Sequence, residues 1–383
     1  MMRELTGYKS GNSRPGIRKH VAVLSLNSFC NTATELISHA VRGTIPLVHP
    51  FGRNEIGIYR ERLERSLMGV VLHPNVHAVL VVGYEPKSTM EFVETVRKTT
   101  SKQVEPVLVL EGGTWNAVRI GMEKALDMVL SASEVCRKTI ELKDLIFGVK
   151  CGGSDATSGV ASNAAVGEAV DRIIEAGGTV IFSETTEILG AEHILARRAA
   201  SEEVAKKIYR AVQQNEEMAM ASGIDLVGIN PVPDNIRGGI STIEEKSLGA
   251  ILKAGSARIE DVLGYAEHPP HPGLYFMDSP SAASEVLTGL SAAGAQIILF
   301  STGTGNPVGN AISPVLKITS NPRTVAKMKE HIDVDISDVL VGNTSLREGG
   351  NCILQAIFSV INGRLTKAEV VGHVEFAPLP VGL

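Results

Sequence analysis

"DLIFGVKCGGSDATSGVASNAAVGEAVDRIIEAGGTVIFSETTE", residues 144–187, reads as strand, loop, helix and strand. "DLIFGVK" and "TVIFS" (179–183) are short, continuous apolar runs, the pattern of strands buried on both faces. "SNAAVGEAVDRIIEAGG" between them is a helix ending in a Gly C-cap. Strands of this kind separated by helices build a parallel sheet covered by helices on both sides. The polar residues gather where each strand ends: "CGGSD" after the first and "SETTE" after the second. In open α/β sheets, ligands bind outside the carboxyl ends of the strands.

The same alternation runs outward in both directions. Upstream, "HVAVLSL" (20–26), "HAVLVVG" (77–83) and "EPVLVL" (105–110) are strands, each followed by a helical stretch, the last at about 114–136. Downstream come helices at about 190–200 and 201–222, a polar, loop-rich stretch at 223–240, and a helix at 241–255. The strands "GLYFM" (273–277), "AQIILF" (295–300) and "VLKIT" (315–319) follow, with a helix near 281–292. The expected fold is α/β, with two parallel-sheet, Rossmann-like domains carrying helices on both faces. The rhythm restarts near residue 140, which divides the chain into 1–140 and 141–383. Neither an internal repeat nor a low-complexity segment is visible.

With 383 residues and 44% hydrophobic content, the chain can bury the cores of two domains. A net charge of −5 and only 4% aromatic residues argue against nucleic acid as a partner. The polar N-terminus lacks a signal-peptide core, and no apolar run is long enough to span a membrane. Cys30, Cys136, Cys151 and Cys352 are far apart, with no CxxC pair. That spacing argues against structural zinc and a disulfide framework and fits a cytoplasmic location.

Four stretches carry candidate chemistry, and each has a plainer structural reading. In "CGGSDATSG" (151–159), Ser154 and Asp155 can face a ligand or cap the next helix. Cys151 there is equally a buried small hydrophobe. "SETTEILGAEHILARR" (183–198) places Glu184, Glu187, Glu192 and His193 within ten residues. These can act as acid or base, or bind a divalent metal. The plainer reading has Glu187 and Glu192 complementing a helix dipole. In "GGISTIEEKS" (238–247), Ser241 with Glu244 and Thr242 with Glu245 both fit a capping box. Two acids and Lys246 exceed what capping requires. "FSTGTGNPVGNA" (300–311), with Thr302 and Gly303, offers backbone N–H groups for a carboxylate or phosphate, or is a connecting loop. No GxxxxGK[ST] or GxGxxG fingerprint is present.

Taken together, these stretches and the terminal "GHVEFAP" resemble the galactarate/altronate dehydratase family, to which the large subunit of sulfolactate sulfo-lyase is related. "GYKSGNSRPGIRKHVAVLSLNSFCN" is similar to that family's G-Y-x-x-x-x-G-R-x-G-x-R-N opening and later cysteine, and "LVHPFG" and "HPNVHAVLVVGYE" continue the match. The resemblance covers nearly the whole chain in order. Two departures stand out. Where the family has H-x-x-G-C-G, this chain has His49-Pro50-Phe51-Gly52-Arg53-Asn54. Where it has L-G-C-E, this chain has Val82-Gly83-Tyr84-Glu85. Arg53 suits an anionic group better than a soft metal.

The resemblance implies a lyase that removes water from a sugar acid such as altronate or galactarate, giving a 2-keto-3-deoxy acid. Its alternatives are sulfite release from sulfolactate or elimination from another small hydroxy acid, and a non-catalytic relative that binds an acid. It implies a divalent metal, Fe²⁺ or Mn²⁺, with His193, Cys151, Cys30 and His49 as expected ligands. Glu184, Glu187, Glu245 and Lys246 are the expected catalytic groups. Ser154, Asp155, Arg53, Thr302 and Gly303 are expected to line a pocket for a small anionic hydroxy acid. Full-length relatives begin with a small extra domain, so the resemblance further implies a separately encoded small-domain subunit and an oligomer.

Overall fold

A computed structural model describes residues 4–9, 14–226 and 230–379. Three sheets organise them. The first holds β2 (His20–Ser25), β3 (Thr44–Leu47), β4 (Val76–Gly83) and β5 (Gln103–Leu108) in the order β3-β2-β4-β5, all parallel. The second holds seven parallel strands in the order β13-β12-β11-β7-β8-β10-β9. They are β7 (Ile146–Cys151), β8 (Thr179–Ser183), β9 (Ile259–Leu263), β10 (Gly273–Met277), β11 (Ile297–Ser301), β12 (Val315–Thr319) and β13 (Val334–Asp335). The third is a short antiparallel pair, β1 (Leu5–Gly7) with β6 (Lys138–Ile140). The fold is α/β, as the alternating pattern requires.

β7 lies at the centre of the large sheet, between β11 and β8. Phe147 and Val149 pack into the core under the helix Asn163–Glu175, while Ile146 faces the opposite core with Leu290 and Ile298. Lys150 falls on the second of these faces by strand alternation. It is 2% exposed, a lysine inside an otherwise apolar central strand.

Short elements replace several expected long ones. The stretch at 190–200 is helical only over Glu192–Ala196. The loop-rich stretch at 223–240 contains the short helix Pro233–Arg237, and its residues 227–229 lie outside the described residues. The structure adds β3, β9 and the helix Gly57–Leu72, which lack a clean single-period pattern, and the amphipathic helix Leu346–Ile361, which opens with a Ser345–Glu348 capping box.

The two large sheets meet along a polar, buried seam. The Asn75 side chain accepts from Ile17 N–H and donates to the carbonyls of Gln296 (2.9 Å) and Ile312 (3.1 Å). Gln296 in turn donates to Pro15 O and accepts from Ile146 N–H. Arg18 pairs with Glu369 at 2.7 Å. Tyr265, Ala292 and Leu379 join the apolar core of the first sheet.

Candidate functional site

The chain turns sharply after β8. Glu184 has φ +87°, the left-handed region that non-glycine residues rarely enter. The segment after β10 holds this turn in place. Glu184 N–H donates to Ser279 Oγ at 3.2 Å and Thr185 N–H to Ser279 O at 3.0 Å. Thr185 Oγ1 donates to Asp278 Oδ1 at 2.6 Å. The result aims the Glu184 carboxylate back across the ends of β7 and β8.

There it meets two lysines. Lys150 Nζ donates to Glu184 Oε1 and to the Cys151 carbonyl at 2.9 Å. Lys253 Nζ lies 3.1 Å from Glu187 Oε2, 3.2 Å from Cys151 Sγ and 3.4 Å from Glu184 Oε2. Cys151 Sγ donates to Glu187 Oε2 at 2.9 Å, and Cys151 N–H to Glu184 Oε2 at 3.3 Å. Lys246 completes the group, 3.9 Å from Glu187 Oε1 and 3.0 Å from Asn230 Oδ1. Lys253 arrives on the tight turn Leu252–Ala254, which follows the helix Ile243–Ile251. That turn comes close because Gly167 has no side chain: a Cβ there would sit 2.2 Å from Leu252 O.

Burial dominates the electrostatics. Burial, reinforced by the charge of Glu187, pushes the Glu184 carboxyl up to about 7, against Lys150 and Lys253. Burial also acts to raise Glu187, but Lys253, Lys246 and Lys150 outweigh it and hold that carboxyl well below the usual range. Burial and Glu187 push the Cys151 thiol up to about 12. Burial disfavours the Lys253 charge, yet its neighbours Cys151, Glu187 and Glu184 keep that pKa above its ordinary value. Two neighbouring carboxyls thus titrate far apart, the arrangement that separates a proton-carrying group from a fixed anion.

Cys151, Glu184 and Glu187 present ligand atoms within 4.8 Å of one another, a spacing that could hold a metal ion. The same carboxylates are already satisfied by the Lys150 and Lys253 ammonium groups, so a divalent cation would have to displace one of them.

A cavity of about 280 Å³ adjoins the cluster. Ser154, Asp155, Asn163, Glu245 and Lys246 supply its polar wall. Ser154 Oγ and Asn163 Oδ1 are buried and have no partner within the described residues. Lys246 belongs to both the cavity and the charged cluster, and so connects them.

Residues 142–382 match the C-terminal domain of D-galactarate/altronate dehydratase, and residues 7–133 match the second domain of D-galactarate dehydratase/altronate hydrolase. The chain belongs to the galactarate/altronate dehydratase family. It is 42% identical to (2R)-sulfolactate sulfo-lyase subunit beta of Chromohalobacter salexigens, over 98% of this chain and 96% of that one. Altronate dehydratase of Escherichia coli is 30% identical, over 89% of this chain and 70% of the relative. Galactarate dehydratase (L-threo-forming) of the same organism is 33% identical, over 60% and 43%. These relatives are lyases.

The structure of this dehydratase-family chain brings Glu184, Glu187, Cys151 and Lys246 together. Asp155 packs on the loop after β11. Asn321 donates to its Oδ2 at 2.8 Å, and a Cβ on Gly303 would fall 2.1 Å from its Oδ1. Thr302 Oγ1 accepts from Gly305 N–H, holding that loop. Glu245 is exposed and occupied with capping, its carboxylate accepting from Ser241 N–H at 2.7 Å and Ser241 Oγ at 2.6 Å.

His193 is exposed and outside the Cys151–Glu184–Glu187 group. Cys30 and His49 sit in the first domain. The thiol of Cys30 lies 3.6 Å from Asn27 Oδ1, and His49 Nε2 lies 2.9 Å from Ser25 O. Burial pushes the Cys30 thiol up to about 12 and His49 down to about 4. Arg53 stacks over Phe29 at 4.3 Å and lies 5.9 Å from Tyr84, so the two departures from the family pattern meet each other. Lys150 and Lys253 were not anticipated. The signal for Lys150 was a lysine inside "IFGVKC", a run otherwise fit for full burial.

Among the described residues, no helix is long and apolar enough to cross a membrane.

Proposed function

We propose that this chain is the catalytic subunit of a lyase that eliminates the C3 substituent of a small 2-hydroxy acid, water in the leading reading. One observation carries it: Glu184, Glu187 and Cys151 meet Lys150 and Lys253 in one buried cluster at the ends of β7 and β8, beside a polar cavity that Lys246 shares. A buried carboxyl raised toward neutral pH suits proton transfer, and the lysines beside Glu187 hold its carboxyl below the usual range.

The substrate enters the 280 Å³ cavity with its carboxylate on Lys246, and displacement of that wall brings C2 to Glu184, which is fully buried and does not itself line the cavity. Glu184 takes the C2 proton, and the C–H electron pair becomes the C2–C3 double bond. The C3–O bond breaks, and the proton on Glu184 leaves with the hydroxide as water. The resulting enol tautomerises to the 2-keto acid. Lys150 and Lys253 are fixed positive charges that stabilise the anionic transition state without reorganisation. Ser154 Oγ and Asn163 Oδ1, unpartnered within the chain, are the groups to bind substrate hydroxyls.

Fe²⁺ or Mn²⁺ bound at Cys151, Glu184 and Glu187 would supply Lewis acidity. The donor set fits it poorly, because the ammonium groups already balance the carboxylates, so no step here runs through a metal.

Sulfite is the second leaving group to consider. Its support is the near end-to-end match to a sulfo-lyase subunit beta. That name also supports a separate small partner subunit. Purified chain, with and without a co-expressed small subunit, is to be assayed against altronate, galactarate and sulfolactate, scoring 2-keto acid and sulfite. Keto-acid formation abolished by Glu184→Gln supports the reading. No turnover of any of these acids with the partner present would overturn it.

A further inference from the structure

A second cavity, of about 760 Å³, lies at the opposite end of the first sheet. It opens at the N-terminal ends of β2, β4 and β5, and the second domain closes it through Ala266–His268 and Gly294. It shares no lining residue with the lyase site.

Its wall is cationic, although the chain as a whole carries −5. Arg18 is neutralised by Glu369. Among the described residues, the partners of Lys102 are two carbonyls, Val71 O at 3.1 Å and His73 O at 2.6 Å. Lys19 holds the carbonyls of Ser133 and Val135, both at 3.2 Å, and Arg65 donates to Tyr265 O at 3.2 Å. Arg14 stands in the field of Asp144, whose carboxylate accepts from Glu141 N–H. Among the described residues one acid, Glu267, lines the cavity; it accepts from Gly264 N–H at 2.7 Å and offsets only one of these charges. Carbonyls satisfy hydrogen bonds but do not cancel charge, and partly buried positive charge without a counter-ion is costly. A bound anion removes that cost.

We propose that this cleft binds a small, multiply charged anion of the phosphate type. The volume suits a phosphorylated metabolite, and Lys19 and Lys102, which immediately precede β2 and β5, line the same cavity as Arg65 of the helix Gly57–Leu72. Burial brings the Lys102 ammonium down to about 7. Burial and the neighbouring cations likewise lower His73, His77 and His268, which line the same cavity, so an anion beside these groups restores protons to them and binding near neutral pH takes up protons.

Titration calorimetry of the full chain with inorganic pyrophosphate tests this, in two buffers of different ionisation enthalpy. The expected result is saturable one-site binding with proton uptake. Affinity should fall at least tenfold in Arg14→Gln and in Lys102→Met and stay unchanged in Lys246→Gln. Arg14 is only partly buried, so its variant keeps the test open if Lys102→Met misfolds. No saturable binding, equal affinity in Arg14→Gln, or loss in Lys246→Gln alone would overturn the proposal. Tighter binding of citrate than of pyrophosphate would overturn the phosphate assignment.

Discussion

Lys253 Nζ sits 3.1 Å from Glu187 Oε2, with both side chains almost wholly removed from solvent. Removing one member of such a pair strands the other. Lys253→Met should lower the stability to urea by about 3–5 kcal/mol. The double variant Lys253→Met/Glu187→Gln should recover part of that loss. A single variant as stable as the parent would show that the pair does not hold the site together.

The pH dependence follows from Glu184, whose carboxyl is raised from 4.5 to about 7. The folded chain holds this proton more tightly than the unfolded chain, so stability falls as pH rises from about 4.5 to about 7. Because the ionised form is the base, kcat/KM should rise over the approach to pH 7 and then level. Glu184→Gln should flatten both profiles and cost roughly 10²- to 10⁴-fold in kcat. An unchanged stability profile in that variant would assign the slope to another group.

Chelation separates the lysine reading from the metal reading. Dialysis of anaerobically purified protein against EDTA should leave both turnover and Tm unchanged. Activity lost on dialysis and restored by Mn²⁺ or Fe²⁺ would transfer the charge-stabilising role from Lys253 to a metal.

Gly303→Ala should disturb the pocket wall. Its new Cβ would lie 2.1 Å from Asp155 Oδ1, in a loop that Thr324 Oγ1 also ties down at Gly303 O. The overpacking should cost about 1–3 kcal/mol. A thermal melt matching the parent would mean that the loop shifts freely.

Ser279→Ala removes the acceptor for Glu184 N–H in a backbone conformation that is strained without it. The expected loss is about 1–3 kcal/mol, with kcat falling more than KM rises, because the carboxyl loses its aim. A change confined to KM would contradict that positioning role.

Much of this was legible before any coordinates. The β7–helix–β8 unit read correctly because continuous apolar strands and a helical period are local signals. Glu184, Glu187 and Cys151 could be singled out because acids and a thiol at strand ends are conspicuous. Lys253 was illegible for a physical reason: its partners lie 66 and 102 residues away in sequence, and only Gly167 lets its turn approach. Lys150 was visible but passed over as part of a strand. Glu245 satisfied a local capping rule in sequence, and capping is what it does in the structure. His193 is close to Glu187 along the chain, yet it is exposed and lies outside the group that Cys151, Glu184 and Glu187 form.

The seam through Asn75 and Gln296 ties the two large sheets to each other. Each amide is wired to backbone on the far side, so parting the halves would strand buried polar groups on both. Melting is therefore expected to run as one cooperative transition rather than two.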